Sequence, residues 1–148
     1  MLRRDYFLRM LNDLMNAIAR LMSKDGPETE RRKEIEAMYS VFGGDKDFFR
    51  IATETEVIIR IAETAADANG CDKMDVDSDE MIKRIELLAA LMYADYKIGG
   101  LNPNVLKNIA ERALSLYQRV ELSSDTFSEE RRNRIDELIT IVSNCTRE

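Results

Sequence analysis

The stretch Thr53-Glu54-Thr55-Glu56-Val57-Ile58-Ile59-Arg60-Ile61 decides the fold class. On its own it alternates. Thr53, Thr55, Val57, Ile59 and Ile61 hold the odd positions, and polar residues fill most even ones, which is the pattern of a half-buried strand. Over a longer span Phe48, Ile51, Thr55, Ile58, Ala62 and Ala65 recur at spacings of three and four, the pattern of one helix face. No Gly or Pro falls between Asp45 and Asn69. A lone strand would find no partner elsewhere in the chain, so a helix over about 45–69 is the expected state.

On both sides of this stretch the pattern is helical. Phe7, Leu11, Leu14, Ile18 and Leu21 form one stripe from Arg4 to Ser23, and Asp25-Gly26-Pro27 stops that helix and starts the next. A second helix to Phe42 buries Ile35, Met38, Tyr39 and Phe42, and Gly43-Gly44 ends it. After Asn69-Gly70 comes an acidic loop, 71–77. Ser78 or Asp77 then caps a fourth helix with the stripe Met81, Ile85, Leu88 and Met92, broadened by Leu91 and Tyr96. Asn102-Pro103 opens a fifth helix burying Leu106, Ala110, Ala113, Tyr117 and Val120. Ser128 opens a sixth, burying Ile135, Leu138, Ile139 and Val142. The expectation is a single all-α domain over 1–148, built as antiparallel helical hairpins: 1–42, a central pair 45–98 and a third unit 102–144. Pairing out of phase, with the fourth and fifth helices as a hairpin, fits the turns equally well.

The chain has 148 residues, 45% hydrophobic and 34% charged, with two Pro, six Gly and neither His nor Trp. The missing histidine excludes Ser-His-Asp and Cys-His catalysis and His-ligated zinc or haem. Net charge is −6, and from Asp45 to Glu80 eleven acids oppose four bases. An acidic belt repels phosphate backbones, so no nucleic-acid partner is expected. The basic runs Arg31-Arg32-Lys33 and Arg131-Arg132-x-Arg134 sit among glutamates and read as solvated helix faces. Cys71 and Cys145 have no CxxC spacing and read as free thiols of a reducing compartment. No apolar run is long enough to span a membrane, and polar residues interrupt any leader-like segment. A cytoplasmic protein with no membrane partner is expected.

Three groups of residues carry candidate chemistry. Asp75, Asp77, Asp79 and Glu86, with Ile82 between, occupy positions one, three, five, twelve and eight of a calcium loop. Position six is Glu80, where the loop's turn needs Gly, and an acidic loop feeding a helix N-terminus accounts for the same residues. Glu54, Glu56 and Glu63 are carboxylates on one helix, of the kind that hold a magnesium ion or act as acid and base, and a solvated face accounts for the same residues. Tyr93, Tyr96 and Tyr117 flank a predicted hairpin turn and fit either a peptide groove or a packing edge. Six of the eight methionines lie on or beside the stripes, as core fillers do. Gly43-Gly44 and Gly99-Gly100 follow helices, so they read as caps and not as a phosphate loop.

Leu87-Leu88-Ala89-x-Leu91-x-Tyr93, Gly99 and Ala113-Leu114-x-x-Tyr117 resemble a tetratricopeptide repeat. Arg4-Asp5-Tyr6-Phe7-Leu8-Arg9-Met10-Leu11, continuing to Leu14, Ile18-Ala19 and Leu21, resembles the opening of a family of uncharacterised bacterial helical proteins. Thr126-Phe127-Ser128-x-Glu130-Arg131-x-x-x-Ile135-x-Glu137-Leu138 resembles that family's closing segment. The resemblance implies a tetratricopeptide-like array and carries over no catalytic residue or cofactor. The expected function is a non-enzymatic protein–protein interaction module, with a protein partner or a homodimer. A calcium-responsive protein using Asp75 to Glu86 is the alternative, and a small-molecule-binding bundle a weaker one.

Overall fold

The structure is a computed structural model and describes residues 2–23 and 26–146, with side chains over 6–23 and 26–145. Among these residues there are seven α-helices and no strand: α1 Leu2–Ser23, α2 Glu28–Met38, α3 Lys46–Ile51, α4 Glu54–Asn69, α5 Ser78–Ile98, α6 Pro103–Ser123 and α7 Glu129–Thr146. The fold is all-α, as the sequence predicts. Asp25, read as part of the first stop signal, lies outside the described residues.

The segment 45–69 is helical but not continuous. Asp45 caps α3 by accepting the Phe48 N–H at 2.8 Å. The backbone then extends through Ala52 and Thr53 before α4 begins. Thr53 and Glu56 form a reciprocal capping box: the Thr53 hydroxyl accepts the Glu56 N–H, and the Glu56 carboxylate accepts the Thr53 N–H. The break is fixed from outside as well, because the Ala52 carbonyl accepts from Arg112 of α6 at 3.2 Å. The break changes which residues are buried. Ile51, expected on the apolar stripe, is exposed, and α4 buries Val57, Ile61, Ala65 and Ala66 instead of centring on Ile58 and Ala62.

The helix α2 runs into a 3-10 turn, Tyr39–Phe42, closed by Gly43 at φ +90°. A Cβ at Gly43 would collide with the Thr64 hydroxyl, so both the dihedral and the space require glycine. The turn delivers Tyr39 and Phe42 onto Phe49 of α3. Tyr39 stacks on Phe49 at 5.6 Å between centroids, and Phe42 meets Phe49 edge-on at 6.4 Å.

The centre of the molecule is α5. Every residue from Leu87 to Asp95 is buried, so this part of the helix is covered on all sides and has no solvent face. Its chief partner is α6, joined by the short turn 99–102, so the out-of-phase pairing is the one adopted. Buried Ala89, Ala90, Ala94, Ala110 and Ala113 on these two helices let them approach closely. The outer layer against α5 is formed by α1, α2 and α4, and α7 packs on α6. Ser128 caps α7 by accepting the Arg131 N–H. Ile139, expected in the core, is 43% exposed, because α7 turns only the Ile135 and Leu138 side fully inward.

Candidate functional site

Asp95 is the one acid in the buried run of α5 and is fully buried. Burying a carboxylate is costly unless its acceptor sites are filled. Here four donors fill them. Oδ1 accepts from Arg32 Nη1 at 3.1 Å and Arg50 Nη2 at 2.9 Å. Oδ2 accepts from the Tyr39 hydroxyl at 2.7 Å and Arg50 Nε at 3.0 Å. Arg50 therefore grips Asp95 with two parallel bonds, and its Nη2 also reaches Glu36 at 3.0 Å. Four elements supply these groups: α2, the 3-10 turn, α3 and α5. Burial works against the Arg50 charge, but the hydrogen bonds and charge of Asp95 outweigh it and raise its pKa. Burial, with Asp95 beside it, pushes the Tyr39 hydroxyl well above 10. The network holds helices in place, and its acceptor capacity is used up.

A second network fastens α7. Arg131, in a run expected to be solvated, is 3% exposed. It donates to Glu121 at 2.6 Å, to Glu86 at 3.0 Å and to the Thr126 carbonyl at 2.6 Å. Arg134 donates to the Tyr117 hydroxyl at 2.9 Å, pairs with Glu130 at 2.6 Å and lies over the Tyr93 ring. Tyr93 donates to Glu137 at 2.6 Å, and Lys97 pairs with the same carboxylate at 2.7 Å. Burial pushes the Tyr117 hydroxyl up to about 12, against the pull of Arg134. Burial raises the Glu137 carboxyl, but the bonds from Lys97 and Tyr93 prevail and hold it below the usual carboxylate value. The basic runs thus divide. Arg32, Arg131 and Arg134 are structural anchors, while Lys33 and Arg132 are exposed.

These contacts locate the sequence candidates. Tyr93 and Tyr117 are interior residues that tie α5 and α6 to α7, and Tyr96 is half-buried. Tyr93 and Tyr117 take part in a packing seam, and Tyr117 also lines a small cavity with Glu86, Arg131 and Arg134. Asp75 lies in a 3-10 turn, Asp77 precedes α5, and Asp79 is in its first turn, paired with Lys83. Glu86 is two turns into α5 and engaged by Arg131. Among the described residues no three Asp, Glu or Cys side chains gather as metal ligands would. Glu54 pairs with Arg119, Glu56 belongs to the capping box, and Glu63 is exposed, so that trio does not converge.

Two cavities are relevant to binding. One of about 210 Å³, between Met15, Ala90 and the start of α7, is lined by Glu86, Glu130, Arg131 and Arg134. Its charges are already paired with one another, and it is below the usual size of a small-molecule site. The other is a cleft of about 450 Å³ between the N-terminal half of α1 and the C-terminal half of α4. Tyr6, Phe7 and Met10 form one wall, Val41 and Ala68 the other. It is mainly apolar, and Tyr6 is 72% exposed at its mouth. Sequence reading assigned Phe7 to the core and missed the cleft. Asp95 did leave a signal, as a lone charge in Leu87–Tyr96 three residues after Met92 of the stripe.

The fold and these features define an all-α helical bundle held together by two charge networks, with an apolar cleft at its side. No family model, curated protein or solved structure matches the chain.

Proposed function

We propose that this chain is a non-enzymatic protein–protein interaction module of tetratricopeptide-like type, acting in the bacterial cytoplasm. The observation that carries the reading is the α1–α4 cleft. Its apolar walls face solvent, while the charged groups of the interior are bonded to one another. An open apolar cleft on a rigid helical scaffold suits recognition of a protein segment. The α5–α6 hairpin with its small-residue seam supports the repeat-like reading, and the two free cysteines suit a reducing compartment. No helix among the described residues is long and apolar enough to cross a membrane.

Photo-crosslinking in the native host tests this. A photoreactive residue replaces Met10 in the cleft or, as a control, Leu122, which is exposed beside the start of α4. The expected result is a discrete adduct from position 10 and none from 122. Equal labelling from both positions, or none from either, refutes the reading.

A further inference from the structure

We propose that the groove between α5 and α6 is a helix-receiving site that α7 fills in cis and vacates as a unit, so that it also accepts in trans a helix with the α7 pattern Arg-x-x-Arg-Ile-x-x-Leu. This site does not involve the α1–α4 cleft.

Residue spacing fits the helix to the groove. Arg131, Arg134, Ile135 and Leu138 stand at i, i+3, i+4 and i+7, on one face of α7. On the receiving side Glu86, Ala90, Tyr93 and Lys97 share a face of α5, and Tyr117 and Glu121 are one turn apart on α6. The contacts rise together along α5 and α7: Arg131 meets Glu86, Arg134 lies over Tyr93, and Glu137 takes Tyr93 and Lys97. They run in opposite order along α6, where Arg131 meets Glu121 and Arg134 meets Tyr117. Thus α7 lies parallel to α5 and antiparallel to α6, seated between them. Tyr93 and Tyr117, the groove candidates of the sequence, are on this seat, and a segment of the chain itself covers them.

The attachment of α7 makes it separable. Its fully buried apolar residues are Ile135 and Leu138, whereas α6 buries six residues, from Ile109 to Val120. The rest of its hold is polar. Glu86, Glu121, Lys97 and Glu137 are all partly exposed, so they return to water readily when α7 leaves, and Arg131 and Arg134 leave with it. The linker 124–128 has no buried residue, and its Phe127 is 77% exposed, so reorienting it uncovers no core. Departure of α7 opens a strip with two tyrosines and two carboxylates. Tyrosine suits an interface, and the carboxylates suit the two arginines of the helix pattern.

Hydrogen exchange of the full chain, read by mass spectrometry, tests separability. The amides of α7 should exchange at least about tenfold faster than those of 87–95 in α5. Glu86→Gln with Glu121→Gln removes both carboxylates that hold Arg131 and should widen that gap by about tenfold more. Fluorescence anisotropy tests the groove, with a labelled peptide of residues 128–144 as the probe. It should bind the full chain carrying Arg131→Ala and Arg134→Ala at least about tenfold tighter than the unaltered chain, whose own α7 competes at high effective concentration. The same two substitutions in the peptide should abolish binding. Exchange of α7 and 87–95 at one rate, or equal acceleration of both by the Gln pair, overturns the proposal. So does failure of the Ala variant to bind the peptide, or equal binding of the substituted peptide. Loss of most of the helical circular dichroism in the Ala variant also overturns it, because the groove then does not stand without α7.

Discussion

Replacing Asp95 with Ala removes the acceptor that four donors share. Arg32 is at the edge of the network and can turn toward Glu28, which lies 4.0 Å away. Arg50 cannot escape. Its side chain is 7% exposed, and Glu36 would be its one remaining carboxylate among the contacts described. Tyr39 is fully buried, and its hydroxyl would lose the Asp95 acceptor. Breaking a buried pair from one side costs about 3–5 kcal/mol. The orphaned hydroxyl falls within that range and is not added to it. For a chain of this size about 3 °C is lost per kcal/mol, so Tm should fall by roughly 10–15 °C. Urea unfolding followed by far-UV circular dichroism measures the loss. The Asp95→Ala/Arg50→Ala pair should be strongly non-additive, because the second change removes the charge stranded by the first. Asp95→Leu with Arg50→Met and Tyr39→Phe should recover much of the loss, since it removes the buried pair and its hydroxyl together and takes a partner only from Arg32 and Glu36, which are partly exposed. A loss below about 1 kcal/mol for Asp95→Ala, or strict additivity in the pair, would refute the reasoning.

Other consequences follow from the same contacts. Glu137 has a lowered pKa in the folded chain, so its contribution is present above about pH 4.3 and is lost as pH falls through the folded value. Glu137→Gln should therefore flatten the acid limb of the stability curve, by less than about 1 kcal/mol because the side chain is partly exposed. Tyr117 is pushed up to about 12, so the folded state is favoured below about pH 10 and loses that contribution as pH rises through 12. Ultraviolet titration should show its ionisation together with loss of helical signal, and ionisation complete before any unfolding would contradict this. Thr53→Ala removes half of the capping box and should cost about 1 kcal/mol, with faster amide exchange in the first turn of α4. Unchanged exchange there would mean that Arg112 and packing alone hold the break.

Helix existence was legible in the sequence, as were most helix ends, because both depend on residues within about four positions of each other. Asn102-Pro103 and Ser128 start helices where expected. The break at Ala52–Thr53 was also present as Thr53-x-x-Glu56, but it was masked by an apolar pattern that runs across it. Which turn of α4 faces inward depended on that break, so Ile51 was misplaced and Val57 and Ile61 were not singled out for burial.

The sequence by itself determined an all-α chain, most of its caps, its acidic belt and the exclusion of chemistries that need histidine. Tertiary structure decided which charges are interior. Arg50, Tyr39 and Arg32 meet Asp95 across 45, 56 and 63 residues, and no local pattern encodes such pairings. The same holds for Arg131, which looks like any surface arginine until α5 and α6 bring Glu86 and Glu121 to it. The cleft too is a tertiary product. It exists because α5 claims one side of α1 and leaves Tyr6 and Met10 facing small residues of α4. Periodicity shows which residues avoid water, but only the packing of distant elements determines whether they are fully covered.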